Sequence, residues 1–258
     1  MSAHSLIEWT QSTWNPVTGC DKVSLGCLHC YAERLAKRLC KMGNPRYRNG
    51  FKVTLHPDLV DLPLKWRKPS MIFVNSMSDL YHEQVPFEFV QAIFGTMVKA
   101  HRHTFQIVTK RAKRLSETVG SLPWPSNIWA GVSIEQQEYL WRVDELRKVP
   151  ADIRFLSCEP LLGPLELDLE GIQWVIVGGE SGPGARPMKE EWVRSIRDQC
   201  ISSGVPLFFK QWGGALNKRG QEKALLDGEL YKEWPEKSYG SPEQQHTLIN
   251  TNLCTATV

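Results

Sequence analysis

Short runs rich in β-branched and aromatic residues alternate along this chain with longer segments of helical period, the pattern of a parallel α/β fold. Strands are predicted over residues 9–15, 51–55, 71–75, 104–109, 127–133, 153–158, 173–178 and 205–210. Helices are predicted over 28–41, stopped by Gly43, Asn44 and Pro45, over 57–66 with Pro57 in its first turn, and over 86–100, 110–119, 135–148 and 189–203. After the strand at 153–158, Pro160, Gly163 and Pro164 argue against a regular crossover helix. Six to eight βα units with no long Gly/Ser linker predict a (β/α) barrel over 1–212, full or partial in the TIM-like sense, with an open sheet as the other arrangement the pattern permits. Residues 213–258 are richer in Gly, Lys, Glu, Gln and Pro and lack strong periodicity, so they read as a peripheral C-terminal extension.

Composition adds limits rather than direction. The 258 residues are 41% hydrophobic and 23% charged, a globular rather than a disordered profile. The net charge of +3 neither demands nor excludes nucleic acid, because such binding needs a localised patch. No apolar run approaches the roughly eighteen residues of a spanning helix, and the first residues lack the basic-then-apolar order of a secretory signal. A cytoplasmic protein with reduced thiols and no membrane partner is expected.

In parallel α/β folds functional groups gather at the carboxyl ends of strands. Here those ends carry Asn75, Ser76, Ser78 and Asp79, then Thr109, Lys110 and Arg111, Ser133 and Glu135, Ser157 and Glu159, Gly178, Gly179 and Glu180, and Lys210. Ser78, Asp79, Thr109 and Ser133 would serve equally as helix caps. The charged members Lys110, Glu135, Glu159, Glu180 and Lys210 exceed what capping requires, and as a set the residues read as the rim of a pocket. Gly178 and Gly179 would let backbone approach a ligand, and the loop 182–186 ending in Arg186 would add an anion contact.

Seven cysteines are present, of which Cys20, Cys27 and Cys30 form a C-x6-C-x2-C pattern just after the first strand and at the start of the first helix. That is no disulfide framework. Thiols so grouped point to a metal. A structural zinc site would need a fourth ligand from His29, Cys40 or a distant residue, whereas an iron–sulfur cluster held by three cysteines leaves one iron open. Of the remaining cysteines, only Cys158 is placed near the expected pocket rim.

Three cysteines after the first strand of a (β/α) barrel resemble the radical S-adenosylmethionine superfamily. More closely, the stretch from Trp14 to Trp212, with WNPVTGC, CLHCYAERLA and VPLFFKQWGG, resembles a family of phage and bacterial proteins marked by three cysteines and without an assigned function. The superfamily resemblance implies an enzyme whose 4Fe-4S cluster on Cys20, Cys27 and Cys30 binds S-adenosyl-L-methionine through its open iron and cleaves it to a 5′-deoxyadenosyl radical. It further implies a cofactor-binding place for His29, which precedes the last cysteine. Asn75, Ser133, Glu159, Gly178, Gly179, Glu180 and Lys210 would bind cofactor or substrate. The chain departs from the superfamily's usual C-x3-C-x2-C spacing, and its Gly178-Gly179-Glu180 falls much later than the superfamily's Gly-Gly-Glu.

A second hypothesis is a zinc-binding, non-catalytic nucleic-acid-binding protein. It draws on the basic stretches 34–38 and 110–114, whose simpler explanation is a solvated helix face. The two combine if a nucleotide or nucleic-acid base is the substrate, as in DNA repair or nucleic-acid modification. A protein partner is also expected.

Overall fold

The computed structural model describes residues 5–215 and 224–236. In chain order it comprises β1 (Ser12–Trp14), β2 (Val17–Thr18), α1 (Tyr31–Lys41), β3 (Thr54–Leu55), β4 (Met71–Val74), α2 (Phe87–Lys99), β5 (Thr104–Thr109), α3 (Ala112–Thr118) and β6 (Ile128–Ser133). There follow α4 (Trp141–Arg147), β7 (Arg154–Cys158), β8 (Trp174–Gly178), α5 (Glu190–Ser203), β9 (Leu207–Gln211) and a small hairpin of β10 (Leu225–Leu226) and β11 (Glu229–Leu230).

Seven strands form one sheet in the order β1-β4-β5-β6-β7-β8-β9, and every pair in it is parallel. The order never reverses, so right-handed crossovers carry every helix to the same face. A doubly wound sheet would need a reversal. Covered on one side and twisted, the sheet curls into a partial barrel with a helix-covered convex face and a concave interior.

Two predicted elements take another form. The run 51–55 supplies only β3, which pairs antiparallel with β2 outside the main sheet. Its residues are half-exposed, and a strand of a sheet buried on both faces cannot be. The helix predicted over 57–66 is two separate 3-10 turns, Pro57–Leu59 and Leu62–Lys65. Pro63 has no N–H to donate and blocks a continuous α-ladder. The helices predicted from 28 and 135 become α-helical only at Tyr31 and Trp141, after the 3-10 turns Leu25–Cys27 and Gln137–Tyr139.

Strand alternation sorts the core into two layers. Ile72, Val74, Ile107, Ala130, Val132, Leu156, Val175, Val177 and Phe209 pack with the helices through Ile93, Leu115, Leu146 and Ile196. The alternate positions Trp129, Phe155, Trp174, Ile176 and Phe208 form a second cluster with Trp9, which precedes β1. Trp174 is its centre, with ring centroids 5.5 Å from Phe155, 6.0 Å from Trp129, 6.2 Å from Phe208 and 6.4 Å from Trp9. Its indole Nε1 donates to the Glu233 carbonyl at 2.8 Å. This aromatic floor fills the lower part of the curled sheet, and accounts for several of the ten tryptophans.

Of the segment read as a C-terminal extension, residues 224–236 belong to the described part, while 216–223 and 237–258 lie outside the described residues. The described part pairs along β9: Phe209 N donates to Tyr231 O at 2.7 Å and Glu233 N to Leu207 O at 3.0 Å. That pairing satisfies backbone groups an edge strand would otherwise expose. Among the described residues, no helix is long and apolar enough to cross a membrane.

Candidate functional site

Above the aromatic floor, the alternate positions change character toward the carboxyl ends. Trp129 is followed by Gly131, Ser133 and Glu135, Phe155 by Ser157 and Glu159, Ile176 by Gly178 and Glu180, and Phe208 by Lys210. Large rings thus give way to small and then to charged residues. The space beside the glycines is taken by the chain itself. A Cβ on Gly131 would lie 2.6 Å from the Phe155 ring, one on Gly178 2.9 Å from Glu159 Oε2, and one on Gly179 2.2 Å from the Trp212 carbonyl oxygen.

The cysteine-bearing segment lies across this mouth. It is tied to the loop after β4 by Gly19 N donating to Met77 O at 3.0 Å and Tyr31 Oη to Ser76 O at 2.5 Å. The region after β6 holds it through Ser24 Oγ donating to Glu135 Oε1 at 2.6 Å and Leu25 N to Tyr139 Oη at 3.3 Å. The loop after β8 holds it through Arg186 Nη2 donating to Leu25 O at 2.9 Å, and through Arg34, which donates to the carbonyls of Ser181 and Pro183.

Three charged groups organise the rim. Glu135 is wholly buried. It accepts from Lys110 Nζ, from Ser24 Oγ and, at 2.8 Å, from Arg142 Nη1, which also donates to the Ser133 carbonyl at 2.7 Å. Burial would raise the Glu135 carboxyl, but Lys110 and Arg142 outweigh it and hold it below the usual carboxylate range. Glu159 Oε2 accepts from Lys210 Nζ at 2.6 Å, and its Oε1 from Ser157 Oγ at 3.3 Å. Glu180 accepts from Arg186 through Nε and backbone N, each at 2.9 Å, and Nη2 at 2.5 Å. Burial opposes ionisation of Glu180 too, and Arg186 again prevails.

Asn75 ends β4 in the left-handed region, at φ +61°. Its Oδ1 accepts from Val17 N at 3.3 Å, and its buried Nδ2 has no protein partner. His29 is half-buried, and a Cβ on Gly184 would stand 3.5 Å from its Cε1.

Cys20, Cys27 and Cys30 are free thiols of intermediate burial. Arg111 Nη1 donates to Cys20 Sγ at 3.4 Å, and Ser24 Oγ lies 3.6 Å from Cys27 Sγ. Burial pushes Cys20 up to about 12; Asp79 adds to the rise, Arg111 opposes it, and Cys27 contributes a smaller upward push. Burial also raises Cys30, against the backbone N–H groups of Glu33 and Ala32 in the first turn of α1. The donor set is soft, free and held at the mouth of the curled sheet, which suits an iron–sulfur cluster. Among the described residues, no three His, Cys, Asp or Glu side chains converge on a single-ion position.

Two expectations need correction. Cys158 is not at the pocket rim: it belongs, with Cys200, to the core on the helix side, because alternation turns Ser157 and Glu159 to the mouth instead. Cys158→Ala is expected to leave metal content unchanged by elemental analysis and to cost about 1 kcal/mol in urea unfolding. The basic stretches are not simply solvated faces. Arg111 is buried against Asp79 at 3.2 Å, Arg114 donates to the carbonyls of His82 and Val85, and Arg34 is engaged as above. Lys37, Arg38 and Lys113 do remain exposed. The buried Arg142 behind Glu135, and the direction of Arg111 toward Cys20, had no signal in the sequence.

A family model described as protein of unknown function (DUF5131) matches residues 4–235. No curated protein sequence matches significantly. Among solved structures, similarity is found to spore photoproduct lyase complexed with dinucleoside spore photoproduct, with a TM-score of 0.46, 11% identity and coverage of 77% of this chain and 63% of that one. A cysteine-to-alanine variant of spore photoproduct lyase with dinucleoside spore photoproduct gives 0.47 at 11% identity, covering 97% of this chain and 74% of that one. This chain therefore spans less than two thirds of the former structure's length.

Proposed function

The chain belongs to the DUF5131 family, whose function is unassigned, and from that premise we propose that it is an iron–sulfur enzyme of the radical S-adenosylmethionine type. Cys20, Cys27 and Cys30 would hold a 4Fe-4S cluster, and S-adenosyl-L-methionine would take the open iron. The observation that carries this reading is the latching of a three-thiol loop across the polar mouth of a partial barrel, through Ser24–Glu135, Arg186–Leu25 and Arg34–Ser181. Three free thiols can hold a cluster by binding one iron each, which leaves the fourth iron open. Bound there, the group would supply one-electron reductive cleavage of its cofactor; the protein supplies orientation and shielding.

Within the mouth, the buried Nδ2 of Asn75 is a donor awaiting an acceptor. The Glu159–Lys210 pair and the Glu180–Arg186 pair would present fixed polar groups to cofactor or substrate, beside Ser133 and His29, while Gly178 and Gly179 serve the close packing of the chain behind them. The proposed substrate class is a nucleotide or nucleic-acid base; at the rim Lys110 and Lys210 are themselves paired with Glu135 and Glu159.

Anaerobic reconstitution with iron and sulfide is expected to give a brown protein with about four irons and four sulfides per chain, lost on replacing any of the three cysteines by alanine. The reconstituted protein with S-adenosyl-L-methionine and dithionite should release 5′-deoxyadenosine. Zinc as the sole tightly bound metal after anaerobic purification would overturn the proposal.

A further inference from the structure

We infer that Arg111 sets the reduction potential of the cluster, raising it by donating a hydrogen bond to the sulfur of Cys20. The inference rests on the iron–sulfur reading above and concerns this chain's own residues around that group. Arg111 follows β5 and is 6% exposed. Every arm of its guanidinium is fixed. Nε is held by Glu83 at 2.9 and 3.1 Å. Nη1 is shared between Asp79 Oδ2 at 3.2 Å and Cys20 Sγ at 3.4 Å, and Nη2 reaches the Asp21 carbonyl at 3.5 Å. Asp79 is itself immobilised, accepting from Thr109 Oγ1 at 2.7 Å, Tyr81 N at 3.0 Å and Lys110 N at 3.1 Å.

This is more than is needed to neutralise a thiolate. The two carboxylates of Asp79 and Glu83 more than offset the single charge of Arg111, so what Arg111 adds at the Cys20 sulfur is one directed N–H. Hydrogen bonds to cluster sulfurs are among the levers that set reduction potential. A donor on the sulfur draws electron density from the iron and favours the reduced, more negative state. Arginine suits the task because its planar fork can be clamped by carboxylates on one side while presenting an N–H on the other. A lysine at this position keeps the charge and loses the fork.

The test is a redox titration of the reconstituted protein without S-adenosyl-L-methionine, followed by electron paramagnetic resonance of the reduced cluster, for unaltered protein, Arg111→Lys and Arg111→Met. Both variants are expected to retain the unaltered protein's iron and sulfide content. At the unaltered protein's midpoint, their reduced-to-oxidised ratio is expected to fall about tenfold, equivalent to a shift of about 59 mV for a one-electron couple. An unmoved potential in both, with the cluster present, overturns the inference alone. A fall confined to Arg111→Met assigns the effect to charge, and overturns the hydrogen-bond role. Should Arg111→Met fail to hold a cluster, Arg111→Lys decides by the same measurement. Absence of a cluster in the unaltered protein overturns the iron–sulfur reading, and this inference with it.

Discussion

Replacing Glu135 by alanine is expected to lower the free energy of unfolding by about 3–5 kcal/mol, the cost of leaving a buried charge without its partner. Arg142 is 1% exposed and would keep the Ser133 carbonyl and the rings of Tyr139 and Trp141, 4.3 and 5.8 Å from its guanidinium carbon, but no carboxylate. Lys110 would lose its carboxylate as well, and Ser24 its tie to the region after β6. Urea unfolding followed by tryptophan fluorescence measures the difference, and a loss under about 1 kcal/mol would mean that the network only replaces water. The effect has a definite pH dependence. The Glu135 carboxyl lies below its ordinary value in the folded protein, while in the unfolded chain it titrates near about 4.3. The stability it contributes is therefore complete above the unfolded value and is lost as pH falls through the folded one. The gap between the unaltered protein and Glu135→Ala should be constant near neutrality and narrow below about pH 4.

The parts of this architecture that were legible from sequence are those in which one strand's own residues decide the outcome. β5, β6, β7 and β8 read as apolar runs because their residues are nearly all buried. The polar turnover at their ends was equally plain. What stayed hidden depends on partners distant in sequence. Whether an arginine in a basic run faces water or is buried is decided by a carboxylate elsewhere, and Arg111 meets Asp79, 32 residues away. Arg142 is only seven residues from Glu135, yet nothing in its surroundings distinguishes it from a helix-surface arginine. The glycine pair at the end of β8 shows the same limit. A pair of glycines signals a close approach, and here what approaches is Glu159 and the Trp212 carbonyl. The cysteine pattern supplied the thiols, but not the latch that holds them at the mouth, because the latch joins residues 24 and 135.

Gly19→Ala tests that placement most directly, and its expected outcome is a destabilised protein that no longer assembles its metal site. Gly19 has φ +86°, and a Cβ there would lie 2.2 Å from the Lys52 carbonyl oxygen and 2.6 Å from that of Phe51. Both obstacles are backbone, and Cys20 N donates to the same Phe51 carbonyl at 3.2 Å. The clash therefore cannot be relieved by a rotamer change; it must move either the β3 segment or Cys20. A left-handed conformation costs an L-residue about 1–2 kcal/mol, and overpacking adds about 1–3 kcal/mol, for a total of about 2–5 kcal/mol. Gly43→Ala isolates the first contribution, since Gly43 has φ +73° and nothing within 4 Å of its would-be Cβ. Thermal unfolding together with iron and sulfide analysis of both variants should show a small loss of stability and full metal content for Gly43→Ala. For Gly19→Ala it should show a larger loss and a depleted cluster. Equal behaviour of the two would mean that the approach of Lys52 to Gly19 does not position Cys20, and that the thiols rely on the ties to the loops after β4, β6 and β8.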